Sequence, residues 1–277
     1  MDFVWNLLRY YGTILACTVG VLILSGLLSW LFCRLFTHLV GGHLGHRAVM
    51  WTAWIGTPIH ELGHALMCPL FGHRITEMRL YSPNSETNTL GYVSHRYHSR
   101  NVYHQLGNLF IGLGPIFSGG AVMTGILFLA FPGAVRTFFA DAFADIGAGG
   151  SFGAVIFDGL HLIPDLFTCD GKAWLKIIGF ILMFAVAMHI NLSPADIRGS
   201  LRGLGVYAIL ALLFAAVTQA IGTFALPTLV SAICGGLRIF ALYSLAIFMV
   251  IYMVDLCLIA VAAVFFVLRL ICSRFTS

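Results

Sequence analysis

From Tyr11 to Phe36 the chain carries one charged residue, Arg34, in an otherwise largely apolar run. In lipid, such a segment satisfies its backbone groups as a helix, and about 20 mostly apolar residues reach across a bilayer core. The run is too long for the core of a signal peptide and reads as a retained span. Five more segments pass the same test. The six spans fall at roughly 11–35, 48–71, 106–131, 173–195, 203–225 and 237–270, by the length criterion for membrane helices. The last would reach about 50 Å at 1.5 Å per residue, so it must tilt or leave the membrane.

The remaining composition fits that reading. Hydrophobic residues make up 60% of the 277, and charged residues 9%, against about 25% in soluble domains. A soluble fold could not cover its surface with so few charges, and a disordered chain would not be this apolar. The net charge of +4 is small and forms no nucleic-acid patch. The seven cysteines are odd in number and lack a Cys-x-x-Cys pair, so there is neither a disulfide framework nor a thiolate metal site. The expected fold is an all-α polytopic membrane protein of about six transmembrane helices, with the lipid bilayer as its surroundings.

Two connections stand apart. Between His73 and Gln105 the chain is polar and carries Arg74, Arg79, Arg96 and Arg100. Within it, Ile75–Tyr81 and Gly91–Tyr97 read as two short strands joined by a turn beginning Ser82-Pro83-Asn84-Ser85. The other connection, about 132–172, is rich in Asp and Gly. Its stretch Val155–Phe167 is partly apolar and suits the membrane interface or a re-entrant segment. With the N-terminus inside, nine Lys and Arg fall on inner segments and six on outer ones. Basic residues favour the cytoplasmic side, so both termini and the hairpin are expected there.

Of three glutamates, only Glu61 lies inside a span, in His60-Glu61-Leu62-Gly63-His64. Residues i and i+4 of a helix share one side. Two imidazoles at that spacing suit a tetrahedral zinc ion, and the adjacent glutamate suits a base that takes a proton from the attacking water. Burying a carboxylate and two imidazoles in an apolar span costs several kcal/mol unless they are paired or metal-bound. Pro58, with Gly56 and Thr57 before it, is expected to kink or start the helix there. A catalytic zinc usually has three protein ligands, so one must come from elsewhere in the chain. The histidines at 38, 43 and 46, and at 95, 98 and 104, lie in loops and are weaker metal candidates. Asp255, in the last span, is read as a hydrogen-bond partner to a neighbouring helix.

The run from His60 to Ile75, the hairpin that follows it and Gly114-Pro115 in the third span together resemble the site-2 protease family of intramembrane zinc metalloproteases. The likeness covers about residues 50–125 well, and it divides the chain into an N-terminal helix with its connection (1–46), a protease core (47–200) and two C-terminal helices (201–277). It implies Zn²⁺ as cofactor, His60 and His64 as ligands, Glu61 as catalytic base, a cytoplasmic hairpin and a membrane-protein substrate cut within or next to its span. It also implies a third ligand, an aspartate on a later span in an Asn-x-x-Pro…Leu-Asp-Gly setting. Asn191-Leu-Ser-Pro194-Ala-Asp196 keeps the order Asn, Pro, Asp at a shorter spacing, which favours Asp196. Phe157-Asp158-Gly159 keeps Asp-Gly and makes Asp158 an alternative. His189 is another, as ligand or as a partner behind one. Asp196 also has a plainer reading as a helix cap. Asn108 and Asn191 are candidates for donating to a developing oxyanion. The expected setting is a multi-pass protein in the plasma membrane of a prokaryote. The rival readings are a membrane metal transporter, whose polar groups would be spread along several spans, and a catalytically inactive relative, which would not need an intact His-Glu-Leu-Gly-His.

Overall fold

A computed structural model describes residues 2–83 and 89–275. The protein is a bundle of helices with one small sheet. Helix α1 (Asp2–Leu15) passes through a π-helical turn at Ala16–Gly20 into α2 (Val21–Val40). Gly41, at φ +94°, breaks the chain before α3 (Gly42–Leu70). Strands β1 (Arg74–Arg79) and β2 (Tyr92–Arg96) pair antiparallel, with a register irregularity between Ile75 and Glu77. Asn84 and Ser85, in the expected turn, lie outside the described residues.

Helix α4 (Val102–Gly112) is capped by the Asn101 side chain, which accepts from the backbone N–H groups of Tyr103 and His104. It bends by 47° into α5 (Gly114–Ala130). Then come α6 (Pro132–Gly147), α7 (Phe152–Thr168), α8 (Ala173–Ala187), α9 (Pro194–Phe224) and α10 (Leu229–Phe275).

Among the described residues, three helical stretches are long and apolar enough to cross a membrane: Phe3–Val40, Pro194–Phe224 and Leu229–Cys272. The bent α4–α5 pair makes a fourth if it is one span. Large apolar side chains face outward, with Trp51 79% and Phe224 87% exposed, as lipid-facing residues are. These features make it a membrane-type, predominantly helical protein. The 44-residue stretch Leu229–Cys272 would extend about 66 Å at 1.5 Å per residue, well beyond a core of about 30 Å.

Against the six spans expected, three stretches, or four with the bent pair, meet the test among the described residues, and α8 stops at Ala187 rather than running to 195. The second long connection changes too. Residues 132–172 are two helices rather than a loose connection. In α6, Ala134, Val135, Phe138, Ala142 and Ile146 are buried, and in α7 Val155, Leu162 and Leu166 are. Both sets repeat at helical spacing. The intervening Asp and Gly dilute a hydropathy average but leave this stripe intact. Helix α7 packs on α10 and α6, and its buried residues join the main core with Met123, Leu127, Phe131, Met183 and Ile251.

Candidate active site

Helix α3 carries His60, Glu61 and His64 where it crosses two other elements. At Gly63 it meets α5 backbone to backbone. A Cβ there would lie 2.5 Å from both the Gly114 carbonyl oxygen and Ser118 Oγ. The reciprocal Cβ on Gly114 would run into the Gly63 carbonyl. Ser118 Oγ donates to the Ile59 carbonyl at 2.8 Å, tying the Gly-Pro helix to α3 one residue before His60. On the other flank, Gly56 lets α3 lie directly against the His189 ring and the Ala185 carbonyl.

Each imidazole is oriented from behind. His60 Nδ1 donates to the His189 carbonyl at 2.7 Å, and His64 Nδ1 donates to the Ile111 carbonyl at 2.7 Å. A carbonyl only accepts, so in the neutral rings the proton sits on Nδ1 and Nε2 presents a lone pair. The two acceptors are supplied where helices stop: Ile111 at the α4–α5 bend and His189 just past the end of α8.

The two Nε2 atoms lie 3.2 Å apart. Asp196 completes the triangle, with Oδ1 3.1 Å from His64 Nε2 and Oδ2 3.5 Å from His60 Nε2. Among the described residues this is the one group of three His, Cys, Asp or Glu side chains whose ligand atoms converge, all within 4.8 Å of one another. Three lone-pair donors, one of them a carboxylate, therefore face one point. Such a set is repulsive when empty and favourable around a cation.

Asp196 reaches this position from the first turn of α9. The chain breaks after α8, and Ser193 caps α9 with Pro194 in its first turn. Ser193 Oγ accepts from Asp196 N at 3.1 Å, and Asp196 Oδ2 accepts from Ser193 N at 2.7 Å, a capping box. The helix-cap and metal-ligand readings of Asp196 thus describe the same side chain at once. Gly112 allows the approach, since a Cβ there would collide with Ser200 Oγ.

The donor triangle opens on a cavity of about 590 Å³ lined also by Glu61, Asn108, Asn191, His95 and the Thr89–Val93 segment. Glu61 is 6% exposed. Its side chain packs under the hairpin, where a Cβ on Gly91 would come within 2.9 Å of Glu61 Cγ. Asn108 and Asn191 each use Nδ2 in a long local bond, to the Gln105 and Met188 carbonyls at 3.3 and 3.4 Å; Asn191 also bonds the Cys33 side chain, whereas Asn108 keeps a second amide hydrogen.

The remaining sequence candidates fall elsewhere. The His189 ring turns to α3, with Nε2 3.1 Å from Thr52 Oγ1 and 3.2 Å from the Val49 carbonyl. It supports His60 through its backbone and is not in the donor set. Asp158 sits on α7, where its Oδ2 is buried with no hydrogen-bond partner among the described residues, and it does not line the cavity. The histidines expected in loops are mostly on helices instead: His38 in the last turn of α2, His43 and His46 in the first turns of α3, and His104 in α4; His43's side chain lies outside the described residues. His95, His98 and His104 form hydrogen bonds and ring contacts around His73. Sequence reasoning passed over His73 altogether and grouped His95 with exposed loop residues. The alternation of β2, in which Val93 and His95 are half-buried between exposed neighbours, is the signal that points His95 inward. No family model, no curated protein and no solved structure matches this chain.

Proposed function

We propose that the protein is an intramembrane zinc metalloprotease of the site-2 protease type, hydrolysing a peptide bond within or next to a transmembrane segment of another protein. The observation that carries the reading is the meeting of His60 Nε2, His64 Nε2 and an Asp196 carboxylate beside Glu61 in a cavity, with both imidazoles held by carbonyls. The edges of a tetrahedron built on zinc–ligand bonds of roughly 2.0–2.2 Å measure about 3.3–3.6 Å. The Nε2–Nε2 separation of 3.2 Å fits one such edge, and the Asp196 carboxylate sets one oxygen beside each imidazole, Oδ1 3.1 Å from His64 and Oδ2 3.5 Å from His60.

A bound zinc ion would supply Lewis-acid activation of the scissile carbonyl and of the attacking water. His60, His64 and Asp196 hold it, with Nδ1–H of each imidazole anchored so that Nε2 stays directed at the site. The Glu61 carboxylate takes the proton from the water and gives it to the departing amine. Asn108 offers an amide hydrogen to the developing oxyanion. Helical substrates hide their carbonyls in i to i−4 bonds and must unwind first. Among the described residues the sheet has two strands, so β2 has an edge with no described strand on it, where an unwound segment can add as a strand. In this reading the chain has about six spans, with the hairpin and both termini on the cytoplasmic side of a prokaryotic plasma membrane.

Glu61→Gln tests the assignment. Purified in detergent with zinc and offered a single-span membrane substrate, the variant should lose on the order of 10²–10⁴ in cleavage rate, the usual cost of removing a general base. Zinc should remain at one per chain, and His60→Ala or His64→Ala should lose it. Near wild-type cleavage by the Gln variant would overturn the mechanism. Zinc retained by the double His variant would place the metal elsewhere.

A further inference from the structure

A second histidine system reaches the same cavity from the hairpin. His73, in the turn after α3, is 4% exposed. Its ring stacks on Tyr97 at 4.6 Å and 15°. It lies against α4 at a position that Gly107 leaves open, where a Cβ would be 3.0 Å from His73 Nε2. His73 Nε2 is 2.8 Å from the His104 carbonyl, and His73 Nδ1 is 2.9 Å from His95 Nδ1. His95 lines the cavity with Glu61, His60 and His64.

Hydrogen-bond accounting fixes the protons. The His104 carbonyl can only accept, so His73 carries its proton on Nε2, and its Nδ1 is an acceptor. His95 must then donate from Nδ1. Burial holds both imidazoles below the usual histidine pKa, which keeps them neutral. The remaining nitrogen, His95 Nε2, presents a lone pair, and no hydrogen bond among the described residues uses it. The hairpin wall of the cavity therefore offers an acceptor, whereas Asn108 offers a donor.

In a trans peptide group the carbonyl and the N–H point in opposite directions. A substrate carbonyl drawn to the His60–His64–Asp196 wall turns its N–H away from that wall. On the protease reading above, we infer that His95 is a further substrate-binding residue: its Nε2 accepts a backbone N–H of the segment being cut, and His73 is the positioning residue that fixes the tautomer able to do so. The ligand class is thus an extended peptide with an unsubstituted amide next to the carbonyl directed at the metal.

The probe is a leucyl-leucine hydroxamate, which brings its own metal-binding group, compared with the same compound methylated at its internal amide nitrogen. Dissociation constants are measured on the zinc-loaded full-length protein in detergent. Wild type should prefer the N–H compound by about tenfold or more, the scale of one buried hydrogen bond left unmade. His95→Phe should bring the preference close to one, with zinc content unchanged. His95→Gln, whose carbonyl oxygen can accept, should restore part of it. His73→Phe keeps a ring against Tyr97 but removes the acceptor for His95 Nδ1–H, and should weaken the preference. A preference undiminished in both His95→Phe and His95→Gln overturns the inference while leaving the protease reading intact. Equal binding of the hydroxamate by wild type and by His60→Ala overturns the metal-site reading itself, and this inference with it.

Discussion

Asp196→Asn separates the helix cap that Asp196 forms from the metal ligation proposed for it. Its Oδ2 accepts from Ser193 N at 2.7 Å, and its Oδ1 lies 3.1 Å from His64 Nε2. In the variant the amide oxygen can keep the Ser193 bond, and the NH₂ group falls where Oδ1 was, facing a lone pair to which it can donate. That bond contributes about 0.5–1.5 kcal/mol, so the metal-free fold should be as stable as wild type or slightly more so. On the metal-site reading, a bound ion would lose a charged ligand. Partners one step removed from a metal cost about 10–100-fold in affinity, so loss of a direct ligand should cost at least about 100-fold, or about 2.8 kcal/mol at 1.4 kcal/mol per tenfold. Ser193→Ala does the reverse: it removes a cap worth about 0.5–2 kcal/mol and leaves the donor triangle in place. The assay is zinc titration against a competing chelator, together with melting curves with and without zinc. Asp196→Asn should melt like metal-free wild type and fail to respond to zinc. Ser193→Ala should melt lower and still respond, and Asp158→Ala should bind zinc normally. Zinc affinity within threefold of wild type in Asp196→Asn, or an equal loss in Ser193→Ala, would mean that Asp196 is only a cap.

Three further outcomes follow from the geometry. Gly63→Ala places a Cβ 2.5 Å from two α5 atoms and should lower the melting temperature by an amount corresponding to about 1–3 kcal/mol, with a parallel fall in zinc affinity; an unchanged melting curve would refute the close crossing. His189→Ala keeps the carbonyl that accepts from His60 Nδ1 and removes only the ring packed on Gly56, Thr52 and Val49, so it should weaken zinc binding by no more than about tenfold, less than Asp196→Asn, as read by the same chelator competition. Acid should loosen the hairpin. His73 and His95 titrate below the usual histidine value because of burial, so the unfolded hairpin takes up protons first, and stability that is full above about pH 6.5 falls as pH drops through the usual histidine range towards the lower folded values. Hydrogen exchange in residues 74–96, corrected for intrinsic rates, should quicken between pH 7.5 and 5.5, and much less so in His73→Phe.

The parts of this protein legible in its sequence are those written locally. The first and the last two apolar runs, the i, i+4 pair His60 and His64, and the hairpin between 75 and 97 each depend on near neighbours and appear where expected, whereas the expected span 173–195 stops at Ala187. Residues 132–172 were misread because an average over a window hides a buried stripe such as Val155, Leu162 and Leu166. The position of Asp196 depended on a break between α8 and α9 that no spacing rule supplies. The carbonyls of Ile111 and His189 carry no sequence signal at all, because every residue has one; only the helix ends that expose them make them useful. His95 was visible only in the alternation of β2.

The order of the donors along the chain has a consequence for biogenesis. His60 and His64 emerge from the ribosome 132 residues or more before Asp196, about 7–26 s at 5–20 residues per second. The Ile111 carbonyl that orients His64 arrives early, whereas the His189 carbonyl that orients His60 arrives almost with Asp196 itself. During membrane insertion the site therefore exists first as two imidazoles, one of them unanchored, which grip a metal loosely. On the metal-site reading, firm capture would have to wait until α8 and the start of α9 are in place, so a nascent chain that ends before Asp196 would hold the ion by two imidazoles alone.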